Sequence, residues 1–324
     1  MIKIKEELKS FVRPSPHSKF SPSSIDRWMG CPASIALSEG IEETTSKYAK
    51  EGTIAHELCE HVYRKRMYGI DIPAGFNLEL SMLPDHGAEM EEHAENYVDL
   101  LESWLTLENE IGDVVWHGIE RGIPIYPEKG CFGTGDFIII GTKGAVIIDF
   151  KYGKGKDVPA TSPQLKAYAL GAYLHCENIP DDYEWNVVVF QPRTFALPKC
   201  HAYNNDEMKT FSTEVFNAIL ETEKDNLEPV ISSSHCHWCP ARKTPDPDKK
   251  CPAQKQRQVD VATKDFDSFL TDMNAEGKDK RDKALMKLLS LFPLIEQVCT
   301  EAEDERSEER RVGKECRSRW WPYH

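Results

Sequence analysis

The chain reads as an α/β protein with a mixed central sheet flanked by helices, and three observations carry that reading. Short runs rich in β-branched residues occupy its middle, at residues 114–125, 136–140, 145–151 and 184–191. Helical spacing of apolar residues precedes them, as in Tyr97, Leu100, Leu101, Trp104 and Leu105. A helical stretch from Gln164 to about Leu174 falls between the last two strands and crosses from one to the other.

Taken in order, residues 1–20 look like a flexible lead, since Pro14-Ser15-Pro16-His17-Ser18 breaks any helix. Helices are expected near 22–39, 49–68 and 87–110, and the aromatic stripe on the last is core rather than a base-stacking platform. Gly141-Thr142-Lys143-Gly144 reads as the hairpin turn between the second and third strands. A helix over 206–224 leads into a cysteine-bearing segment, and a charged helix over 279–305 follows. No internal repeat is visible.

Composition bounds the class. A chain of 324 residues with 40% hydrophobic content can bury a full core, and it fits one large domain with a helical appendage. The N-terminus lacks an apolar run long enough for a signal peptide, and no stretch could span a bilayer. The expected compartment is therefore cytoplasmic and reducing, where ten cysteines favour free thiols and metal ligation over disulfides.

The chemistry concentrates at Asp149-Phe150-Lys151, at the end of the run Ala145-Val146-Ile147-Ile148, and at Gly133-Thr134-Gly135-Asp136. Asp136 is expected to open one strand and Asp149 to close the next, so antiparallel pairing brings both to one end of the sheet. Alternation puts Asp149 and Lys151 on one face. Two carboxylates can hold a hard divalent cation, which polarises a phosphate and acidifies its bound water, and a lysine can orient that water or neutralise developing charge. Alone, Asp-x-Lys is a common tripeptide and more often a solvated strand end. Gln164 and Tyr168 share a helix face, as do His56 and Glu60; such residues are ordinarily structural unless their helices pack over the sheet.

In order and spacing these pieces resemble the RecB-like branch of the PD-(D/E)XK nucleases, over roughly residues 21–255. That family follows a helical histidine with an aspartate after a Gly-rich turn, an acidic-x-lysine and a Gln-x-x-x-Tyr, matched here by His56, Asp136, Asp149 with Lys151, and Gln164 with Tyr168. The resemblance implies a restriction-endonuclease-like core. It also implies Mg²⁺ or Mn²⁺ on His56, Asp136, Asp149 and the carbonyl of Phe150, with Asp136, Asp149, Lys151, Gln164 and Tyr168 as catalytic residues.

Cys236-His237-Trp238-Cys239, with Cys251 beyond it, reads as a metal site in its own right. One N-terminal cysteine, Cys31, and these three around the core resemble the iron–sulfur RecB-like nucleases, including the AddB type, which implies a 4Fe–4S staple. The spacer between Cys239 and Cys251 is longer than is usual there. His235 and His237 flank Cys236, so zinc with mixed ligation stays open. Cys59, Cys131, Cys176, Cys200 and Cys299 read as small buried hydrophobes.

The net charge of −14 runs against a DNA-binding role, because phosphate contacts need Lys and Arg. Acidic residues collect at 89–110 and 301–309, however, while Lys143, Lys151, Lys154, Lys156 and Lys166 lie near the proposed site in sequence. Those lysines read equally as a basic groove or as a solvated loop.

Residues 306–324 resemble the in-frame translation of a sequencing adapter, which sets them apart as a non-native tail after a helical appendage at 256–305. Within the RecB-like group, the segment from Ser21 to Ser34 looks most like the phage and prophage family known as domain of unknown function 2800. The resemblance implies a DNA exonuclease of phage recombination or replication, with DNA and a single-strand annealing protein as partners. The competing reading is a metal-stapled phage DNA-binding or assembly module without catalysis.

Overall fold

Continuous rather than alternating hydrophobicity calls for strands covered on both faces, and the central runs adopt that arrangement. The computed structural model describes residues 1–254 apart from 16–17, 42–46, 77–86, 155–156, 195–196, 233, 245 and 247. The chain divides into two compact units, Met1–Lys249 and Lys250–His324, and the described part of the second is residues 250–254. The expected helix over 279–305, Cys299 and the segment 306–324 lie outside the described residues.

The first unit begins with β1 (Lys3–Ile4), α1 (Glu6–Ser10), α2 (Ile25–Gly30), α3 (Ser34–Leu37), α4 (Lys47–Tyr68), α5 (Gly87–Leu105) and α6 (Glu108–Ile111). Then come β2 (Val114–Tyr126), β3 (Cys131–Gly141), β4 (Gly144–Phe150), α7 (Pro163–Leu174), β5 (Cys176–Glu177), β6 (Glu184–Phe190), β7 (Lys199–Tyr203), α8 (Asn205–Glu221) and α9 (Pro240–Lys243). Five strands form one sheet in the order β2-β3-β4-β6-β7. Only β4 and β6 are parallel, and α7 supplies the crossover that a parallel pair requires.

Each face of the sheet has its own core. Ile138, Ile140, Ala145, Ile147, Val187 and Val189 pack with α7 and α8, whereas Phe137, Ile139, Val146, Ile148 and Val188 pack with α4 and α5. The result is a mixed α/β architecture of three layers. Gly133 seats α7 against β3, because a Cβ there would lie 2.8 Å from the Tyr168 ring and 3.0 Å from Pro22.

Several sequence expectations need correction. Residues 1–20 are not a loose lead: β1 pairs with β5, and Ile2, Leu8 and Phe20 are buried. The helix expected over 22–39 is broken at Gly30-Cys31-Pro32, since proline cannot continue it. The one over 87–110 divides into α5 and α6. Asp136 does not open β3; it sits mid-strand, because the Gly-rich stretch before it extends against β2 instead of turning. β7 carried too little apolar pattern to be seen in the sequence. As an edge strand it leaves Cys200 exposed, against the expectation of burial, while Cys59, Cys131 and Cys176 are buried. Among the described residues, no helix is long and apolar enough to cross a membrane.

Candidate functional site

Strand register sets three carboxylates level with one another across the sheet. Phe137 pairs with Ile148, which places Asp149 of β4 opposite Asp136 of β3. Ile119 pairs with Phe137 and Arg121 with Gly135, which places Glu120 of β2 opposite Asp136 on its other side. Beyond Phe137 the β3–β4 ladder gives way, and the Asp136 side chain takes over: its Oδ2 accepts the Phe150 N–H at 2.7 Å.

Helices from both faces add the remaining groups. From α4, His56 brings Nδ1 to 3.2 Å from Glu120 Oε1 and 3.5 Å from Asp136 Oδ1, and its ring meets the Phe150 ring edge-on at 5.5 Å. From α7, Gln164 Nε2 donates to the Tyr168 hydroxyl at 3.1 Å, and Tyr168 lies in the field of Asp149, Lys151 and Asp136. Lys151 Nζ stands 3.0 Å from both oxygens of Asp149. Glu60, on the His56 face of α4, pairs instead with Arg64.

The electrostatics are those of a site short of positive charge. Burial raises the Asp136 pKa, with His56 opposing and Glu120 adding to the rise. Burial likewise pushes Asp149 up to about 6, against the pull of Lys151 and with help from Asp136. Burial disfavours the imidazolium of His56, yet Asp136, Glu120 and Asp149 outweigh it and lift its pKa to about 9. Lys151 is held charged by the same balance, its desolvation overcome by Asp149 and Asp136. Among the described residues, Asp149 Oδ2 accepts no hydrogen bond despite the nearby ammonium, and neither does the buried Tyr97 hydroxyl of α5 find a partner.

These features fit a divalent cation. His56, Glu120 and Asp136 each offer one ligand atom, all within 4.8 Å of one another, a mixed nitrogen–oxygen donor set able to hold a metal ion. Asp149 is not in that tight group, although it was expected beside His56 and Asp136. Glu120 escaped the sequence reading, and Tyr97 was read there only as a core aromatic. The signal for Glu120 was present: Gly118 and Gly122 flank it inside a strand, a mark of irregular backbone.

The lysines do not assemble as the sequence order implied. Lys143 is in the hairpin turn, at the far end of β3 and β4 from Asp136 and Asp149. Lys166 lies over the Tyr203 and Phe211 rings, 4.8 and 4.7 Å away, on another side of α7. Lys154 faces Glu89 at 3.9 Å. Lys156 lies outside the described residues, so Lys151 alone of the five is seen in the site.

Three of the four predicted cluster cysteines neighbour one another in the first unit. Cys31 caps α2, and Cys236 and Cys239 bracket a short 3₁₀ turn over His235–Trp238. The Val230 N–H donates to Cys31 Sγ at 3.3 Å and the Ser232 N–H to Cys236 Sγ at 3.4 Å. Burial raises the Cys31 pKa, and the nearby Cys236 and Cys239 add to the rise. Their three sulfurs nevertheless do not all fall within 4.8 Å of one another. His235 is engaged with the Val230 carbonyl at 2.8 Å. Cys251 belongs to the second unit and is buried.

Among solved structures, the chain is similar to LHK-Exo in complex with dAMP, at 14% identity, covering 63% of this chain and 87% of that one with a TM-score of 0.28. A second structure of LHK-Exo, described as an alkaline exonuclease from Laribacter hongkongensis, matches at 15% identity over 62% and 91%, with a TM-score of 0.25. SSO0001 matches at 15% identity over 66% and 93%, with a TM-score of 0.24. The family described as "Protein of unknown function (DUF2800)" matches residues 17–320, and the chain belongs to that family.

Proposed function

We propose that this protein is a metal-dependent deoxyribonuclease with a restriction-endonuclease-like core, acting as an exonuclease on DNA ends. The observation that carries the reading is the pair of buried carboxylates, Asp136 and Asp149, with a charged lysine beside it. Asp149 keeps an oxygen without a hydrogen-bond partner among the described residues, in a region where burial, helped by Asp136, disfavours its ionisation. Such an arrangement is costly unless a cation completes it.

Asp136, Asp149 and His56, with the Phe150 carbonyl, would hold Mg²⁺ or Mn²⁺. The bound ion would supply Lewis-acid polarisation of a phosphate and a water of lowered pKa. Lys151, kept protonated next to Asp149, donates hydrogen bonds and offsets negative charge on phosphate oxygens. Gln164 and Tyr168 fix one another at 3.1 Å and border the same carboxylates, where they hold the substrate strand in register. Asp136 positions the β4 backbone through Phe150 N–H, so the strand end that carries Asp149 and Lys151 cannot drift.

Cys31, Cys236, Cys239 and Cys251 form, in this reading, a 4Fe–4S staple, with zinc as the alternative occupant. Backbone N–H donors on two of the sulfurs support thiolate ligation. The role proposed for the activity is in phage recombination or replication, beside a single-strand annealing protein. The alternative is a non-catalytic DNA-binding or assembly module built on the same frame.

The test is digestion of end-labelled linear and circular DNA with Mn²⁺ by wild type, Asp149→Ala and Lys151→Ala. Loss of cleavage in both variants with unchanged circular dichroism supports the assignment. Asp149→Ala cutting at the wild-type rate would falsify it.

A further inference from the structure

Glu120 is the one described residue of β2 whose backbone enters the left-handed region, at φ +46°. Glycine occupies that region freely, whereas a residue with a Cβ is strained there. The strain has a visible consequence in the strand. Ile119 packs in the core under α4 and α5, while Ile123 and Ile125 pack in the core under α7, although all three would face one way in a regular strand. Glu120 is thus where the inside–outside alternation of β2 reverses.

The reversal sets the Glu120 carboxylate against His56 and opposite Asp136. Like charges directly across an antiparallel pair are unfavourable, and here a strained backbone holds them so. A second, independent observation points to the same spot. The Tyr97 hydroxyl, from a residue 1% exposed, has no hydrogen-bond partner among the described residues and lies in the field of Asp136, Glu120 and Asp149. Buried hydroxyls are ordinarily satisfied. Repulsion, backbone strain and an orphan donor in one place mark a site completed by something outside the chain.

We infer that Glu120 is a cation-binding residue of this centre, contributing a carboxylate oxygen alongside His56 and Asp136, and that the left-handed kink in β2 exists to aim it. The inference rests on the metal-dependent reading above and adds to it a residue supplied by β2. It also separates two groups around the shared Asp136: His56 with Glu120 on one side, Asp149 with Lys151 on the other.

The experiment is Mn²⁺ titration of the full chain without DNA, by calorimetry and Mn²⁺ electron paramagnetic resonance, for wild type, Glu120→Gln and Glu120→Gly. Glu120→Gln keeps size and the ability to bond His56 while removing the charge. It should weaken Mn²⁺ binding by about tenfold or more, as expected for losing a charged ligand or its close support. Glu120→Gly should weaken it similarly while raising the melting temperature, because glycine relieves the left-handed backbone. That opposition of affinity and stability is not expected of a merely structural residue. Both variants binding Mn²⁺ within about twofold of wild type, while wild type binds and cleaves, would overturn this inference alone. Wild type binding no Mn²⁺ would overturn both it and the nuclease reading. If Glu120→Gly does not fold, the ratio of Glu120→Gln to wild type decides.

Discussion

Replacing Gly133 by alanine tests whether α7 is seated on β3 as closely as the site requires. The added Cβ would lie 2.8 Å from Tyr168 Cε1, 3.0 Å from Pro22 Cγ and 3.2 Å from Pro22 Cδ. None of those atoms is the loose end of a flexible chain. Tyr168 is 6% exposed and shares a core with Leu165, Ala169 and Ala172, and Pro22 is the buried residue of its turn. Carbon–carbon contacts relax at about 3.5–4.0 Å. Accommodation therefore requires α7 or the turn to retreat by roughly half an ångström or more. Overpacking of this kind costs about 1–3 kcal/mol, or a fall of about 2–12 °C in melting temperature for a domain of this size. Differential scanning calorimetry of wild type and Gly133→Ala reads it directly. DNA cleavage should fall as well, because the retreating helix carries Gln164 and Tyr168 away from Asp149. Melting within 1 °C of wild type, with cleavage intact, would refute the packing argument.

Further expectations concern separate parts of the fold. Asn204→Ala removes a capping box in which the Asn204 side chain accepts from Glu207 N–H at 2.9 Å and Glu207 returns the bond to Asn204 N–H at 2.9 Å. The loss should be about 1 kcal/mol, and a denaturant midpoint equal to wild type would contradict it. Maleimide labelling of the native protein, mapped by mass spectrometry, should modify Cys200 well before Cys59, Cys131 or Cys176, since Cys200 alone of these is exposed; equal rates would be inconsistent with β7 as an edge strand. Anaerobically purified protein should be brown and contain iron, and Cys31→Ser or Cys236→Ser should lose both colour and iron. Colourless protein with stoichiometric zinc would instead assign the cysteines to zinc.

Local hydrophobic pattern was enough to find the sheet's centre and the crossover. The runs Phe137–Ile140 and Ala145–Ile148 are apolar at every position, as a strand covered on both faces requires, and the α7 segment has the length of a crossover helix. His56, Asp136, Asp149, Lys151, Gln164 and Tyr168 could be singled out as candidates because their order along the chain resembles a known family pattern. Tertiary structure alone decided the rest. Glu120 joins His56 and Asp136 through strand register and a reversed alternation, neither of which is fixed by local sequence. Lys143 and Lys166 are near the site in sequence and apart from it in space, because a hairpin reaches away from its own ends and a helix presents successive residues to different sides. The N-terminal strand appeared only once Cys176 and Glu177 offered it a partner. Two residues of backbone pairing carry no pattern of their own; long-range backbone hydrogen bonds, not periodicity, hold Lys3 and Ile4 in place.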